Sequence, residues 1–318
     1  MIGHSRLGGS RGAFFRRAAI AALTLWSAVT LAFFALHLAA GDPVDSLLAQ
    51  GLASPQQAQA LRQSLGLDRP LLVQYLRYLE GLTRGDLGRS LFTQRAVTRI
   101  IADQAGSTLE LALAGLAVAA VLGTALGLAA GWKGQAALGR ASAGAAGLAT
   151  AVPVAVTGIL ILWAATWLGR GRAELLPLTR AENLALPALA LGIASAGALA
   201  RVLASGLQDN LHAPFLLAAR ARGVGQGTRL AWHALRPALP LAVSFLALEA
   251  SLLLGGTVVT EVVFARPGLG RLLVTSILNG DFPVVQGLVL LAATIYTVTH
   301  LLADTVSARI DPRLRDTL

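Results

Sequence analysis

Six stretches of this chain are long and apolar enough to cross a bilayer as helices: residues 18–40, 107–131, 141–168, 184–204, 238–262 and 284–307. A helix rises 1.5 Å per residue, so about 20 mostly apolar residues span the hydrocarbon slab. Within that slab a helix satisfies its own backbone N–H and C=O groups. The pattern reads as an all-α membrane protein with six transmembrane helices. Two spans depart from simple rods. The third is long enough to tilt or to break at Pro153, and the fourth carries Pro187 near its start and Arg201 near its end.

Composition and charge agree. The chain is 55% hydrophobic and 13% charged, against about 25% charged in ordinary soluble domains. Its net charge of +10 is not a nucleic-acid footprint, because the basic residues sit in short groups beside the apolar runs. Fourteen of them fall on one side: Arg6, Arg11, Arg16 and Arg17; Lys133 and Arg140; Arg201, Arg220, Arg222, Arg229 and Arg236; Arg309, Arg313 and Arg315. Only Asp209, Asp311 and Asp316 oppose them outside the spans. On the other side the arginines are mixed with acids such as Asp42, Asp68, Glu80 and Asp103. The positive-inside rule therefore places both termini in the cytoplasm. The first span follows a basic segment and ends before Gly41-Asp42-Pro43, so a cleaved signal peptide is the competing reading. Its apolar run exceeds the 7–15 residues usual for such a segment, and a retained helix is expected.

The external loop, 41–106, is too long for a simple turn. Ser54-Pro55-Gln56-Gln57 reads as a capping box with proline at the first helical position, and Gly66 as a stop. A second helix after Asp68 would carry Leu72, Tyr75, Leu76, Leu79 and Leu82 on one face. Two readings stand: an amphipathic cap on the membrane surface, or a docking platform for an external partner.

Inside the membrane, small residues mark helix contacts. Gly123, Gly127 and Gly131 recur every fourth residue, and 194–198 are all small. Ionisable residues there are functional candidates. Glu249, near the middle of the fifth span, either lines a pathway or makes a structural contact. Glu110 and Asp304 lie near span ends, while His37 and His300 are isolated and lack metal-ligand spacing. The chain contains no cysteine, no phosphate-binding loop around its one lysine, no H-E-x-x-H and no G-x-S-x-G. Gly223, Gly225 and Gly227 follow no strand, so they are not a nucleotide fingerprint. No catalytic residue, metal site or cofactor of its own is expected.

The polar interruption at 205–237 holds Arg220, Arg222, Arg229 and Arg236, with no acid among them. Pro214 suits a helix first turn, Gly223 can stop that helix, and Thr228 can cap the next one, which enters the fifth span at Pro237. Charge alone leaves two readings, an anchor on lipid headgroups or a surface offered to a cytoplasmic partner.

This stretch resembles the cytoplasmic motif of bacterial ABC importer permeases of the dipeptide, oligopeptide and nickel family. Residues 218–223, A-A-R-A-R-G, are similar to that family's T-A-R-A-K-G, and 233–236 repeat its H-A-L-R. The resemblance extends along the chain through LGLDRPLLVQYLRYL (65–79), RGDLGRS (84–90), TLELAL (108–113), EVVFARPGLGRLL (261–273), DFPVVQG (281–287) and DPR (311–313). Leu217 stands where the broader pattern has glutamate, Ala218 where threonine is usual, and Glu249 where glutamine is common.

The resemblance implies a type I importer permease in the inner membrane, with an amphipathic periplasmic insertion after the first helix. It would form half of a translocation pathway beside a second homologous permease. Two cytoplasmic ATPase subunits would use ATP and Mg, and an external solute-binding protein would deliver peptide, glutathione or a nickel or other metal chelate. It places ATPase coupling at Pro214, Phe215, Ala219, Arg220, Arg222 and Gly223. Candidate pathway or gate residues are Glu249, Glu261, Arg266, Pro267, Gly268 and Asp281. A secondary transporter would show inverted repeats with broken helices, and an intramembrane hydrolase a nucleophile with its base; neither pattern is visible.

Overall fold

The computed structural model describes residues 8–39, 42–49, 51, 54–131, 136–168, 182–211 and 213–310. The expectations at Gly41, Lys133 and 311–313, and those on the side chains of His300 and Asp304, lie outside the described residues. The helices in chain order are α1 (Gly8–Ala39), α2 (Pro43–Ala49), α3 (Pro55–Leu65), α4 (Leu71–Thr83), α5 (Val97–Gly131), α6 (Ala136–Ala151), α7 (Val154–Leu168), α8 (Glu182–Leu211), α9 (Pro214–Ala221), α10 (Gln226–Thr228), α11 (Arg236–Val263), α12 (Leu269–Asn279) and α13 (Phe282–Ile310). A π-helical segment, Arg229–Leu235, joins α10 to α11. The protein is all-α; among the described residues one isolated bridge, Arg89 with Ala96, interrupts that. Two compact units divide the chain, one of residues 1–104 with 272–318, the other of residues 105–271.

In the first unit α1 packs on α13, and α4 is pinned to α1 by aromatic rings. Phe33 lies 5.4 Å from Tyr75 and 5.6 Å from Tyr78 between ring centroids, and Tyr75 shares a 2.7 Å hydrogen bond with Thr30. The Tyr78 phenol is pushed up to about 12, chiefly by burial. Local signals in the cap act as expected. Ser54 and Gln57 form both halves of the capping box, and Gly66 closes α3 at φ 70°. The apolar row on α4 is split, however. Tyr75 is buried and Leu79 and Leu82 are half-buried, whereas Leu72 and Leu76 stay exposed.

The second unit is built around α8, which packs on α6, α7, α11 and the π segment. Its Leu199, Leu203 and Leu207, each buried, ride over Gly123, Gly127 and Gly131 of α5. A Cβ on Gly127 would lie 2.9 Å from the Leu203 Cβ, so the glycine stripe is the groove that seats the leucine ridge. Close backbone approach of this kind holds helices together where lipid removes the hydrophobic drive.

The break allowed at Pro153 is present, and one expectation needs correction here. The stretch 141–168 is not one rod: it breaks after Ala151, and its two helices meet at 107°. Pro153 has no N–H to donate and its ring clashes with the preceding turn. Among the described residues five helices are long and apolar enough to cross a membrane, or six if the bent pair is one span. Helix α8 continues to Leu211, into the stretch read as the 205–237 loop. Thr228 does not cap a helix; its backbone is already helical and α10 begins at Gln226.

Candidate functional site

Helix α9 starts on Pro214, whose missing N–H costs nothing in a first turn. It ends at Arg222, and Gly223 then turns the chain at φ 77°. That left-handed conformation is the reason for glycine, since a Cβ there would meet nothing within 4 Å. The eight-residue helix buries Leu216 and Ala219 and exposes Pro214, Phe215, Leu217, Ala218, Arg220 and Ala221. Phe215 is 46% and Leu217 64% exposed, large apolar side chains beside cations. Leu216 enters a buried cluster with Leu199, Leu203 and Leu207 of α8, Ala234 of the π segment, and Ala238 and Ala242 of α11. One leucine thus ties the exposed helix to the two long helices of the unit.

The π segment follows directly. π-turns are rare and displace the hydrogen-bond ladder, often at functional sites. Here the Asn210 amide of α8 donates to the Ala234 carbonyl at 3.0 Å. The Arg236 guanidinium lies 5.5 Å from the Trp232 ring, within cation–π range. A cavity of about 220 Å³ opens between the end of α8, α9 and the π segment, lined by Leu211, Leu216, Leu217, Arg220, Gln226, Arg229 and Leu230.

A second polar constellation lies at the other end of α11. Glu261 is fully buried and all of its described partners donate to it. Thr108 Oγ1 reaches one carboxylate oxygen at 2.7 Å, and the backbone N–H groups of Gly270 and Arg271, at the start of α12, reach the other at 2.7 and 3.1 Å. A carboxylate at a helix N-terminus satisfies orphan donors and the helix dipole together. Gly268 must be glycine because a Cβ would collide with the Glu261 carboxylate. Arg266, 8% exposed, pairs with Glu110 at 2.7 Å and donates to the Asn183 carbonyl at 2.6 Å. The Pro267 carbonyl accepts from Ser107 at 2.5 Å. Thr108 also accepts the Leu269 N–H at 2.8 Å, closing the clamp.

Glu249 of α11 accepts a short hydrogen bond from the buried Ser195 hydroxyl of α8. In the first unit Asp281 accepts from Ser90 Oγ at 2.6 Å and from the Leu91 N–H at 3.1 Å. Burial pushes the Asp281 carboxyl above the usual range, against the pull of those donors.

The family described as binding-protein-dependent transport system inner membrane component matches residues 95–316, and its N-terminal counterpart matches 13–112. The chain belongs to this family. It is the permease subunit of an ABC importer. The glutathione transport system permease protein GsiC of Salmonella paratyphi A is 35% identical over 301 residues, 92% of this chain and 95% of that one. A Brucella suis protein named as a peptide permease is 34% identical over 299 residues, 90% and 93% of the two chains. The fold is similar to that in the crystal structure of an amino acid ABC transporter with histidines, with a TM-score of 0.54, 16% identity, and 67% of this chain and 94% of that one covered.

For the permease, the geometry sorts the expected residues. Phe215, Arg220 and Arg222 lie on the open side of α9 and its C-terminal end with Gly223 following, whereas Ala219 is turned inward and buried. Glu261, Arg266, Pro267 and Gly268 come together with Thr108 and Glu110 in one clamp. Glu249 is held separately by Ser195, and Asp281 belongs to the other unit. Sequence reading missed Leu217 as surface, Thr108 as the clamp hydroxyl, and the π segment. An exposed Leu217 beside Arg220 was signalled by the spacing of Leu216 and Ala219, three apart on the opposite face.

Proposed function

We propose that α9 is the element through which ATP hydrolysis in partner subunits moves this permease. Both termini and the 205–237 loop then face the cytoplasm. The carrying observation is the exposed Phe215–Leu217–Arg220–Arg222 face, closed by Gly223 and tied through Leu216 to α8 and α11. An aromatic and arginine surface with an apolar centre suits a protein interface. Two ATPase subunits carry ATP and Mg, a second homologous permease completes the pathway, and an external binding protein delivers the solute. The relatives' names point to peptides or glutathione as cargo. A displacement of α9 would pass through Leu216 to the α8–α11 pair, on which Glu249 sits as a candidate pathway residue. The Glu261–Arg266 clamp would hold the α11–α12 corner rigid while the spans move, with Asp281 doing the same for the start of α13.

The test is ATP-driven uptake by the assembled complex carrying Gly223→Val. A β-branched residue at φ 77° resists the left-handed turn. Uptake should collapse while the subunits still co-purify; normal uptake would overturn the coupling role.

A further inference from the structure

The cavity behind α9 is a cationic pocket without a counter-ion. Arg220 and Arg229 line it together with the Gln226 amide, above a floor that includes Leu216 and Leu230. The Arg229 Nε–H is buried and finds no hydrogen-bond partner among the described residues. No acid occurs in the sequence between Asp209 and Glu249. Elsewhere the buried guanidinium of Arg266, whose Nε likewise finds no partner among the described residues, has its carboxylate, Glu110, within the unit. None of the ion pairs among the described residues involves Arg220 or Arg229. Two arginines lining one partly enclosed space repel each other, and a shared anion relieves both.

We propose that this pocket receives a carboxylate side chain of the ATPase subunit, an Asp or Glu held between Arg220 and Arg229. The proposal rests on the reading of α9 as the coupling helix and adds the chemistry of its partner. Two observations favour a protein carboxylate over a lipid phosphate. Leu217 and Arg220 belong both to the exposed face of α9 and to the pocket lining, so whatever covers that face lies over the pocket. The face itself carries Phe215 and Leu217, the mix of aromatic, aliphatic and arginine side chains typical of protein interfaces. The planar fork of arginine pairs with carboxylate and phosphate alike through two parallel N–H···O bonds, so the choice of anion rests on what covers the face. The 220 Å³ volume admits one acidic side chain.

The chain's single lysine, Lys133, makes a clean experiment possible. Arg220→Lys and Arg229→Lys keep the charge and place one reactive amine at the pocket. The intact importer, with its ATPase subunits, is treated with a water-soluble carbodiimide, which joins an amine to a carboxylate with loss of water. Linked peptides are then sequenced by mass spectrometry. Both variants should join to the same acidic residue of the ATPase, and Arg222→Lys, whose side chain does not line the pocket, should not. Arg220→Gln with Arg229→Gln should weaken ATPase retention about tenfold or more at moderate salt, the scale of losing one charge-paired contact. Recovery of a lipid adduct, or no ATPase linkage from either lysine in an intact complex, overturns the proposal. Failure of Gly223→Val to affect uptake would instead remove the coupling role of α9, whatever the crosslinks show.

Discussion

The clamp around Glu261 and the surface of α9 lie in the same compact unit and use the same chemistry to opposite ends. At the clamp both Glu261 oxygens are engaged, by a hydroxyl and two backbone N–H groups, and Arg266 has its acid and a carbonyl, although its buried Nε finds no partner among the described residues. At α9 one of its arginines and Arg229 of the π segment line a cavity with no acid in its lining, and two large apolar side chains of α9 face outward. Buried polar groups cost free energy unless they are paired. A site that satisfies them internally is built to hold its shape, and one that leaves them unsatisfied is built to be completed by another molecule. The contrast separates the residues that keep this permease folded from those through which it is driven.

The largest expected effect lies at the clamp. Glu261→Gln keeps the shape but sets an NH₂ group against donors that now lack an acceptor. Leaving buried donors unpaired costs about 1–3 kcal/mol each, more when the lost partner was charged. The purified permease should therefore lose several degrees of thermal stability and assemble poorly. The matching change on α9, Arg222→Gln, should leave melting within error, since exposed substitutions stay within about 0.5 kcal/mol. Equal melting losses in the two variants would erase the distinction between holding and binding.

Gly223 sharpens the same comparison at smaller scale. A residue with a Cβ in the left-handed region costs about 1–2 kcal/mol, and at Gly223 the surrounding space adds no clash. Gly223→Val should lower stability only modestly while abolishing transport. Gly225 has φ −61°, so Gly225→Ala should change neither. Loss of uptake in both variants would mean that the loop needs general flexibility rather than one left-handed turn. A step below this comes Glu249→Gln, which keeps an acceptor for the Ser195 hydroxyl. It should spare folding and reduce uptake only if the charge itself lines the pathway, which initial uptake rates read directly.

Local chemistry was legible in the sequence where the cause is local. Pro214, Gly223, the Ser54 capping box and Gly66 act within one turn of themselves, and the structure places each as read. The glycine stripe at Gly123, Gly127 and Gly131 was readable as a packing surface because small residues have few other uses in lipid. What was not legible depends on distant partners. Glu261 offered no sign that Thr108, 153 residues away in the chain, and the start of α12 would enclose it. Pro153 announced a break but not its 107° angle, which neighbouring helices set. Ala219 looked like part of a functional motif and proved to be the buried side of α9, because a motif does not record which face of a helix each letter occupies.

Asp281 gives the smallest effect and the most exact test of engaged carboxylates. Its folded pKa lies above its ordinary value, chiefly through burial, while Ser90 and Leu91 pull it down. A raised carboxyl pKa means that the folded state binds the proton more tightly than the unfolded chain. The stability this contributes is fully present below the unfolded value, near 3.9, and is lost as pH rises through the raised folded value. Melting of the wild type relative to Asp281→Asn should therefore decline as pH climbs through the acidic range, then level once the carboxyl is ionised in both states. A difference that instead grows with pH would show that the Ser90 and Leu91 donors outweigh burial. Asp281 would then resemble Glu261, whose described partners are all donors to its charge, and burial alone would not distinguish how the two units hold their carboxylates.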